Sequence, residues 1–277
     1  MPPTAKTAPF DHGPYRFEQV ATSVDCLEDI GQRELHSFAG QGYLVIRRAL
    51  DANLIEGAGQ AVDFLLQGGN PDFRGVQIEE GSRGLDLDAD QRLLATRKLM
   101  NFVDFDPRFI GLAHHPGLLT LLEQLMGAPP VLFQEMALLK PPRIGREKPW
   151  HQDSAYFNVP LGTPVIGVWI ALDPATPENG CLHLIPGSHR EDPMPHFKRR
   201  DWQICDTDVA SQRDVMVPLE PGGCLLWHGQ THHGSPQNRT DQRRRALQFH
   251  YKPQDTATIT TQERMALYGG DVRGATC

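Results

Sequence analysis

The chain has 277 residues, of which 39% are hydrophobic and 22% are charged, and its formal net charge is −7. This length and composition fit one soluble globular domain with a sizeable core, so we expect a single domain over residues 1–277. The acidic balance argues against a general nucleic-acid binder, and no apolar run is long enough to span a bilayer.

The five cysteines are scattered along the chain and form no Cys-x-x-Cys pair. Separated cysteines in an odd number are typical of reduced thiols rather than of a disulfide framework or a zinc site. No signal-peptide segment is visible. The sequence therefore predicts a cytoplasmic protein that acts on a small molecule, without a nucleic-acid or membrane partner. It carries no signal for the oligomeric state.

The first part of the chain alternates between flexible, helical and strand patterns. Residues 1–25 contain four prolines among small polar residues and are predicted to be flexible. Apolar residues at helical spacing predict a helix over residues 28–39. The apolar run 43–46 predicts a buried strand. A second helix is predicted to begin at Asp51, a good N-cap residue, and to end at Gly68.

The next segment, residues 68–98, is rich in Gly, Asp and Arg and has no clear periodicity. A long irregular segment in a compact domain is often functional, so we interpret it as a loop or lid. Helical spacing returns after Asp106, is divided at His115-Pro116, and ends at Gly127.

From residue 131 onward the pattern changes to short segments that are apolar or alternate between apolar and polar residues. Turn signals such as Pro186-Gly187-Ser188 separate them. The predicted strands are 131–139, 150–153, 165–172, 181–185, 215–219, 224–228 and 246–251. Helices followed by seven or eight short strands are typical of a jelly roll. We therefore expect a mostly β fold with flanking helices, a cupin-like double-stranded β-helix.

A His-x-Asp motif, Trp150-His151-Gln152-Asp153, lies in one of these predicted strands. Side chains two positions apart on a strand point to the same face, so His151 and Asp153 can reach one metal ion. Two histidines and one carboxylate form the facial triad of non-haem Fe(II) oxygenases, which leaves positions open for substrate and O2. The candidate for the second histidine is His233, and the adjacent His232 is its nearest rival.

Further segments follow this motif in a recognisable order. They are Trp169-Ile170-Ala171-Leu172-Asp173, Glu178-Asn179-Gly180-Cys181-Leu182, Pro186-Gly187-Ser188-His189, His233-Gly234-Ser235, Asn238 and Arg244-Arg245-Ala246. In this order they resemble the phytanoyl-CoA dioxygenase family of Fe(II)/2-oxoglutarate-dependent oxygenases, over residues 131–251. The resemblance implies that His151, Asp153 and His233 bind iron. The His-Gly-Ser sequence favours His233 over His232.

The resemblance also implies a binding site for the co-substrate 2-oxoglutarate. Arg244 matches the arginine that binds its distal carboxylate, and Ser235 matches the hydroxyl beside it. Trp169 and Gln134 match positions that line the same pocket. A planar guanidinium offers a carboxylate two parallel N–H donors, which a lysine cannot do. A further basic contact is expected from either Arg97 or Lys98.

Strand periodicity separates Arg244 from its neighbours. If residues 244–251 form a strand, Arg244, Ala246, Gln248 and His250 share one face, and the residues between them share the other. The polar face is predicted to point toward the metal cavity. Arg243 and Arg245 are then predicted to be outward or rim charges.

The implied activity is that of a dioxygenase that uses Fe(II), 2-oxoglutarate and O2 and forms succinate and CO2. Related halogenases carry Ala or Gly in place of the metal-binding carboxylate, so Asp153 favours hydroxylation of a small-molecule substrate. Desaturation, cyclisation and epoxidation are chemically close. Two other classes stay open: a cupin-like metal-dependent isomerase or hydrolase, and a catalytically inactive binding homologue. Arg244 argues against the first, and the complete set of site residues argues against the second.

Overall fold

The structure, a computed structural model, describes residues 13–269. Its helices are α1 (Gln32–Gln41), α2 (Ala52–Leu66), α3 (Ala89–Ala95), α4 (Pro107–Ala113), α5 (Pro116–Met126) and α6 (Thr261–Tyr268). Its strands are β1 (Tyr43–Ile46), β2 (Val76–Ile78), β3 (Thr96–Met100), β4 (Pro130–Lys140), β5 (Lys148–His151), β6 (Ile166–Ala171), β7 (Leu182–Leu184), β8 (His196–Lys198), β9 (Trp202–Ile204), β10 (Val215–Val217), β11 (Cys224–His228), β12 (His233–Ser235) and β13 (Arg244–Pro253).

The predicted helices and strands are present, with bounds that shift by a few residues. The first helix begins at Gln32 rather than at residue 28, because Leu27–Asp29 forms a separate 3-10 turn. Gly127 ends α5 in the left-handed conformation, with φ of 70°, which glycine adopts without steric cost. Part of the N-terminal segment that was predicted to be flexible lies outside the described residues. Within its described part, Val20 and Val24 form isolated β-bridges to strand residues.

The strands build two antiparallel sheets that face each other. The larger sheet has the order β1-β11-β6-β13-β4-β3-β2, and the smaller sheet has the order β10-β7-β12-β5. Strands β8 and β9 form a separate hairpin. The predicted double-stranded β-helix with flanking helices is confirmed.

The larger sheet is buried on both faces. One face contributes Val45, Trp169 and Leu225 to an apolar layer that also contains Leu184 and Val217 of the smaller sheet. The opposite face packs against α2, α4 and α5 in the largest apolar cluster, which includes Ile46, Val62, Leu99, Phe109, Leu122, Leu226, Leu247, Phe249 and Tyr251. Burial on both faces explains why β6 and β11 read as continuous apolar runs.

Strand β13 confirms the predicted separation of its two faces. Leu247, Phe249 and Tyr251 pack under the helices, whereas Arg244 and Gln248 line a cavity on the other face. This alternation follows from the period of two along a strand. It places the polar side chains of β13 between the two sheets.

Arg245 was predicted to be an outward or rim charge. Its side chain does point away from the cavity, but most of it is buried. Its guanidinium and backbone N–H donate to Asp173, at 2.8–2.9 Å, and Nη1 donates to Asp63 on α2, at 3.0 Å. Only 14% of the side chain is exposed. Arg245 therefore ties β13 to the loop after β6 and to α2.

We expect Arg245→Ala to lower the free energy of unfolding by about 1.5–3 kcal/mol, because hydrogen bonds to charged groups are lost from a poorly hydrated site. Arg243→Ala is the matched control, since Arg243 reaches Asp63 from a more exposed position. That change should cost less than about 1 kcal/mol. Urea unfolding measures both values. An equal loss of unfolding free energy in the two variants would contradict the expectation that Arg245 contributes more to stability than Arg243.

The interpretation of residues 68–98 as irregular is wrong for residues 76–78 and 89–98. This stretch contains β2, α3 and the start of β3, and β3 pairs with β4 at the edge of the larger sheet. Charged residues in β3 obscure its alternation, because the cavity side of the strand is polar. Movement of this stretch as a lid stays a prediction.

The cysteines differ from the prediction at one position. Cys26, Cys181 and Cys224 are free thiols, but Cys205 is disulfide-bonded. The prediction that all five are reduced is wrong, because sequence spacing does not report which cysteines meet in space. In residues 13–269, no helix combines the length and the apolar character needed to cross a membrane.

Candidate metal centre

Two neighbouring strands of the smaller sheet, β5 and β12, bring His151, Asp153 and His233 together. Strand β5 ends at His151, two residues before the predicted end of the strand, and Asp153 begins a 3-10 turn. Gln152 between them is extended, with φ of −110° and ψ of 129°, so the two side chains still face the same way. Strand β12 places His233 directly opposite His151.

The geometry of these three side chains suits one metal ion. Asp153 Oδ1 lies 3.4 Å from His151 Nε2, and Asp153 Oδ2 lies 3.5 Å from His233 Nε2. One ligand atom from each residue lies within 4.8 Å of the others. All three residues are buried. The donor set of two imidazoles and one carboxylate fits iron, with open positions on its other side.

Backbone carbonyls orient both imidazoles. His151 Nδ1 lies 2.8 Å from the carbonyl oxygen of Pro149, and His233 Nδ1 lies 3.0 Å from that of Thr231. A carbonyl only accepts, so each Nδ1 donates and each Nε2 keeps its lone pair for a metal. Burial lowers the pKa of His151 to about 3 and also lowers the pKa of His233. Both rings are therefore neutral at neutral pH.

Asp153 receives hydrogen bonds from two residues of the larger sheet. Trp227 Nε1 donates to Oδ2 at 2.9 Å, and His250 Nε2 lies 2.8 Å from the same oxygen. Burial alone would raise the pKa of Asp153, but the imidazoles of His233 and His250 lower it well below its usual value. Trp227 could not be recognised from the sequence as a site residue, because it lies in an apolar run that indicates only a buried strand.

A single cavity of about 260 Å³ contains the three side chains. All seven residues that the sequence predicted for the site line this cavity: Gln134, His151, Asp153, Trp169, His233, Ser235 and Arg244. Apolar side chains form much of the remaining wall: Met100, Met136, Leu138, Leu139, Phe157 and Leu182. His232 is buried but does not line the cavity.

Arg244 presents a buried positive charge with unused donors to the cavity. The residue is only 2% exposed, and its Nε and Nη1 atoms have no hydrogen-bond partner in residues 13–269. Its Cζ atom lies 5.2 Å from the ring centroid of Trp169. Burial lowers the pKa of Arg244 to about 10, so it remains protonated at neutral pH. A buried guanidinium with unused donors fits an anionic ligand such as a carboxylate.

The other cations of the cavity differ in how they are paired. Arg97 and Lys148 share Asp201, at 3.6 and 2.9 Å. Lys98 Nζ has only a weak contact, 3.9 Å from Met136 Sδ, and burial lowers the pKa of Lys98 to about 8. Of the two basic residues considered from the sequence, Lys98 therefore has more donor capacity left for a ligand.

The family model for phytanoyl-CoA dioxygenase (PhyH) matches residues 38–246, which is most of the chain. The chain belongs to the phytanoyl-CoA dioxygenase family. This assignment confirms the resemblance seen in the sequence. The matched range contains every predicted site residue, from Gln134 to Arg244.

Among relatives in the phytanoyl-CoA dioxygenase family, the chain is 36% identical over 155 residues to phytanoyl-CoA dioxygenase domain-containing protein 1 of Danio rerio. The match covers 53% of this chain and 53% of that protein, about half of each. The chain thus spans about half the length of this relative.

Two solved structures share the fold of this phytanoyl-CoA dioxygenase family member. EvdO2 from Micromonospora carbonacea var. aurantiaca, complexed with 2-oxoglutarate, is 27% identical with a TM-score of 0.67, covering 83% of this chain and 94% of that chain. The epimerase SnoN, in complex with Fe3+, alpha ketoglutarate and nogalamycin RO, is 24% identical with a TM-score of 0.66 and 91% coverage of both chains. The second likeness concerns the fold alone.

Proposed function

We propose that this protein is an Fe(II)- and 2-oxoglutarate-dependent dioxygenase that hydroxylates a small-molecule substrate within a single domain. The observation that carries the proposal is the buried guanidinium of Arg244, whose Nε and Nη1 atoms have no hydrogen-bond partner in residues 13–269. It lies in the same cavity as the His151, Asp153 and His233 cluster. A metal-dependent isomerase or hydrolase has no need of such a group. A co-substrate with a free carboxylate does.

Each residue of the cluster has a separate task in this proposal. His151 and His233 present neutral Nε2 atoms, and Asp153 contributes a charged oxygen, so the site offers one negative charge to a divalent ion. When bound, iron with 2-oxoglutarate and O2 supplies the oxidising chemistry, and the co-substrate leaves as succinate and CO2. The carbonyl-bound Nδ1 atoms keep both rings in place throughout.

The remaining polar residues hold the co-substrate. Arg244 pairs with its distal carboxylate, and Ser235, two residues after His233 on β12, adds a hydroxyl. The ring of Trp169 packs beside the guanidinium, and Gln134 lines the same cavity from β4. Lys98 is the further basic contact, in preference to Arg97, because Arg97 is already paired with Asp201.

The apolar wall gives the protein two further functions. Side chains such as Met100, Met136 and Phe157 exclude water, which strengthens the charge pairs inside the cavity. They also offer an apolar surface to the substrate. We assign two contributions to the protein: it orients the substrate C–H bond and it excludes water. The bound iron and co-substrate would supply the oxidising chemistry.

A product assay tests the proposal. Purified protein with Fe(II), 2-oxoglutarate and O2 is incubated with a metabolite library, and products are followed by mass spectrometry. We expect one metabolite to gain one oxygen atom while an equal amount of succinate forms, and we expect neither change without iron. Loss of two hydrogens instead of a gain of oxygen would contradict hydroxylation. A product that forms without 2-oxoglutarate would contradict the whole assignment.

A further inference from the structure

The larger sheet carries a row of three residues that lie opposite one another on neighbouring strands. Trp227 on β11 pairs with Gly167 on β6, and Gly167 pairs with His250 on β13. Residues paired across neighbouring strands point to the same face of a sheet. Trp227 and His250 therefore stand on either side of Gly167, on the face that meets the candidate metal centre.

The missing side chain of Gly167 makes this arrangement possible. A Cβ atom at this position would lie 2.6 Å from Cε2 and from Cζ2 of Trp227, closer than real Cβ contacts. The indole ring therefore lies over the glycine backbone. From there it is nearly perpendicular to the His250 ring, at 85°, with 6.1 Å between the centroids.

Both rings direct an N–H group at the same oxygen of Asp153. Trp227 Nε1 is always a donor, and it lies 2.9 Å from Oδ2. His250 Nε2 lies 2.8 Å from Oδ2, and a charged carboxylate only accepts, so Nε2 carries a proton. The side-chain amide of Gln248 also lies 3.1 Å from His250 Nε2, and His250 Nδ1 has no partner in the described part of the chain.

We propose that Trp227 and His250, with Gly167 between them, are positioning residues that hold Asp153 Oδ2 and so leave Oδ1 as the single metal-binding oxygen. This inference rests on the proposed metal site. With both oxygens free, a carboxylate can bind a metal through two atoms and occupy a further coordination position. The paired donors prevent this and keep that position for the co-substrate and O2.

The test is metal affinity, measured by titrating Fe(II) into the apo-protein under anaerobic conditions. Trp227→Phe keeps an aromatic ring on Gly167 but removes the N–H donor. We expect it to weaken Fe(II) binding by roughly 10- to 100-fold, as changes behind a metal ligand commonly do. At saturating Fe(II), the affinity for 2-oxoglutarate should change much less.

Trp150→Phe is the matched control. Trp150 is also fully buried, but its Nε1 has no hydrogen-bond partner in residues 13–269. The same loss of ring volume should therefore leave Fe(II) affinity near that of the wild type. At the second position, His250→Gln keeps an N–H donor and should bind Fe(II) more tightly than His250→Leu.

The outcomes separate this inference from the proposed function. Absence of Fe(II) binding in the wild type would overturn both. Fe(II) binding in Trp227→Phe that is as tight as in the wild type, or no weaker than in Trp150→Phe, would overturn the positioning role alone. The visible absorption of the Co(II)-loaded protein is a second measurement. A spectrum that is unchanged in both Trp227→Phe and His250→Leu would also overturn it.

Discussion

Replacing Arg244 by alanine is expected to raise the dissociation constant and the KM for 2-oxoglutarate strongly, with the fold intact. The guanidinium is the one buried cation of the cavity for which two N–H groups have no partner in the described residues. Loss of a charge-assisted pair in a desolvated site commonly costs about 2–5 kcal/mol, because the partner charge is left unpaired. At about 1.4 kcal/mol for each factor of ten, the affinity should fall by roughly 30-fold or more.

The measurement is anaerobic titration of 2-oxoglutarate into the metal-loaded protein, supported by the KM for succinate formation. Arg243→Ala is the control, because Arg243 is paired with Asp63 outside the cavity. It should leave both values nearly unchanged. Small and equal effects from the two variants would remove the main argument for a 2-oxoglutarate enzyme. The metal-dependent isomerase or hydrolase would then be the better hypothesis.

Removing a metal ligand should have an even larger effect. The wild-type protein is expected to bind one Fe(II) per chain, and Asp153→Ala or His151→Ala should abolish productive binding and succinate formation. Each change removes one of only three donors in the cluster. Anaerobic Fe(II) titration and a succinate assay measure the two losses.

His232→Gln is the control for the ligand variants. His232 is adjacent to His233 and buried, but it lies outside the cavity. This variant should bind Fe(II) like the wild type. Full affinity and full succinate production in Asp153→Ala would contradict the site. Loss of Fe(II) binding in His232→Gln, with Fe(II) binding retained in His233→Ala, would show that the second histidine ligand is His232 and not His233.

The sequence could predict features that depend on local geometry. The alternation of side chains along one strand correctly separated Arg244 from Arg245 and placed His151 and Asp153 on the same side. Strand bounds shifted by a few residues, yet the faces stayed correct. His151 and Asp153 still point the same way although β5 ends at His151, because Gln152 between them has an extended backbone.

Features that depend on strand register could not be predicted in this way. Trp227, Gly167 and His250 are far apart in the sequence and meet only because three strands are aligned. The ion pairs of Arg245 with Asp173 and Asp63 likewise need the final packing of α2 on the larger sheet. Strand β3 was missed because two consecutive charged residues, Arg97 and Lys98, hide any alternation of apolar and polar side chains.

The buried charge of Arg244 has a consequence for the energy of the folded protein. A cation removed from water without a directly bound counter-ion is costly to the folded state, and in residues 13–269 the Arg244 guanidinium contacts the ring of Trp169 but forms no ion pair within 4.0 Å. The carboxylate of a bound co-substrate would supply the missing counter-ion. The fold thus carries a local instability at this position, which ligand binding relieves. Pairing with that carboxylate would therefore recover part of the desolvation cost of Arg244, and this recovery would add to the affinity for the co-substrate.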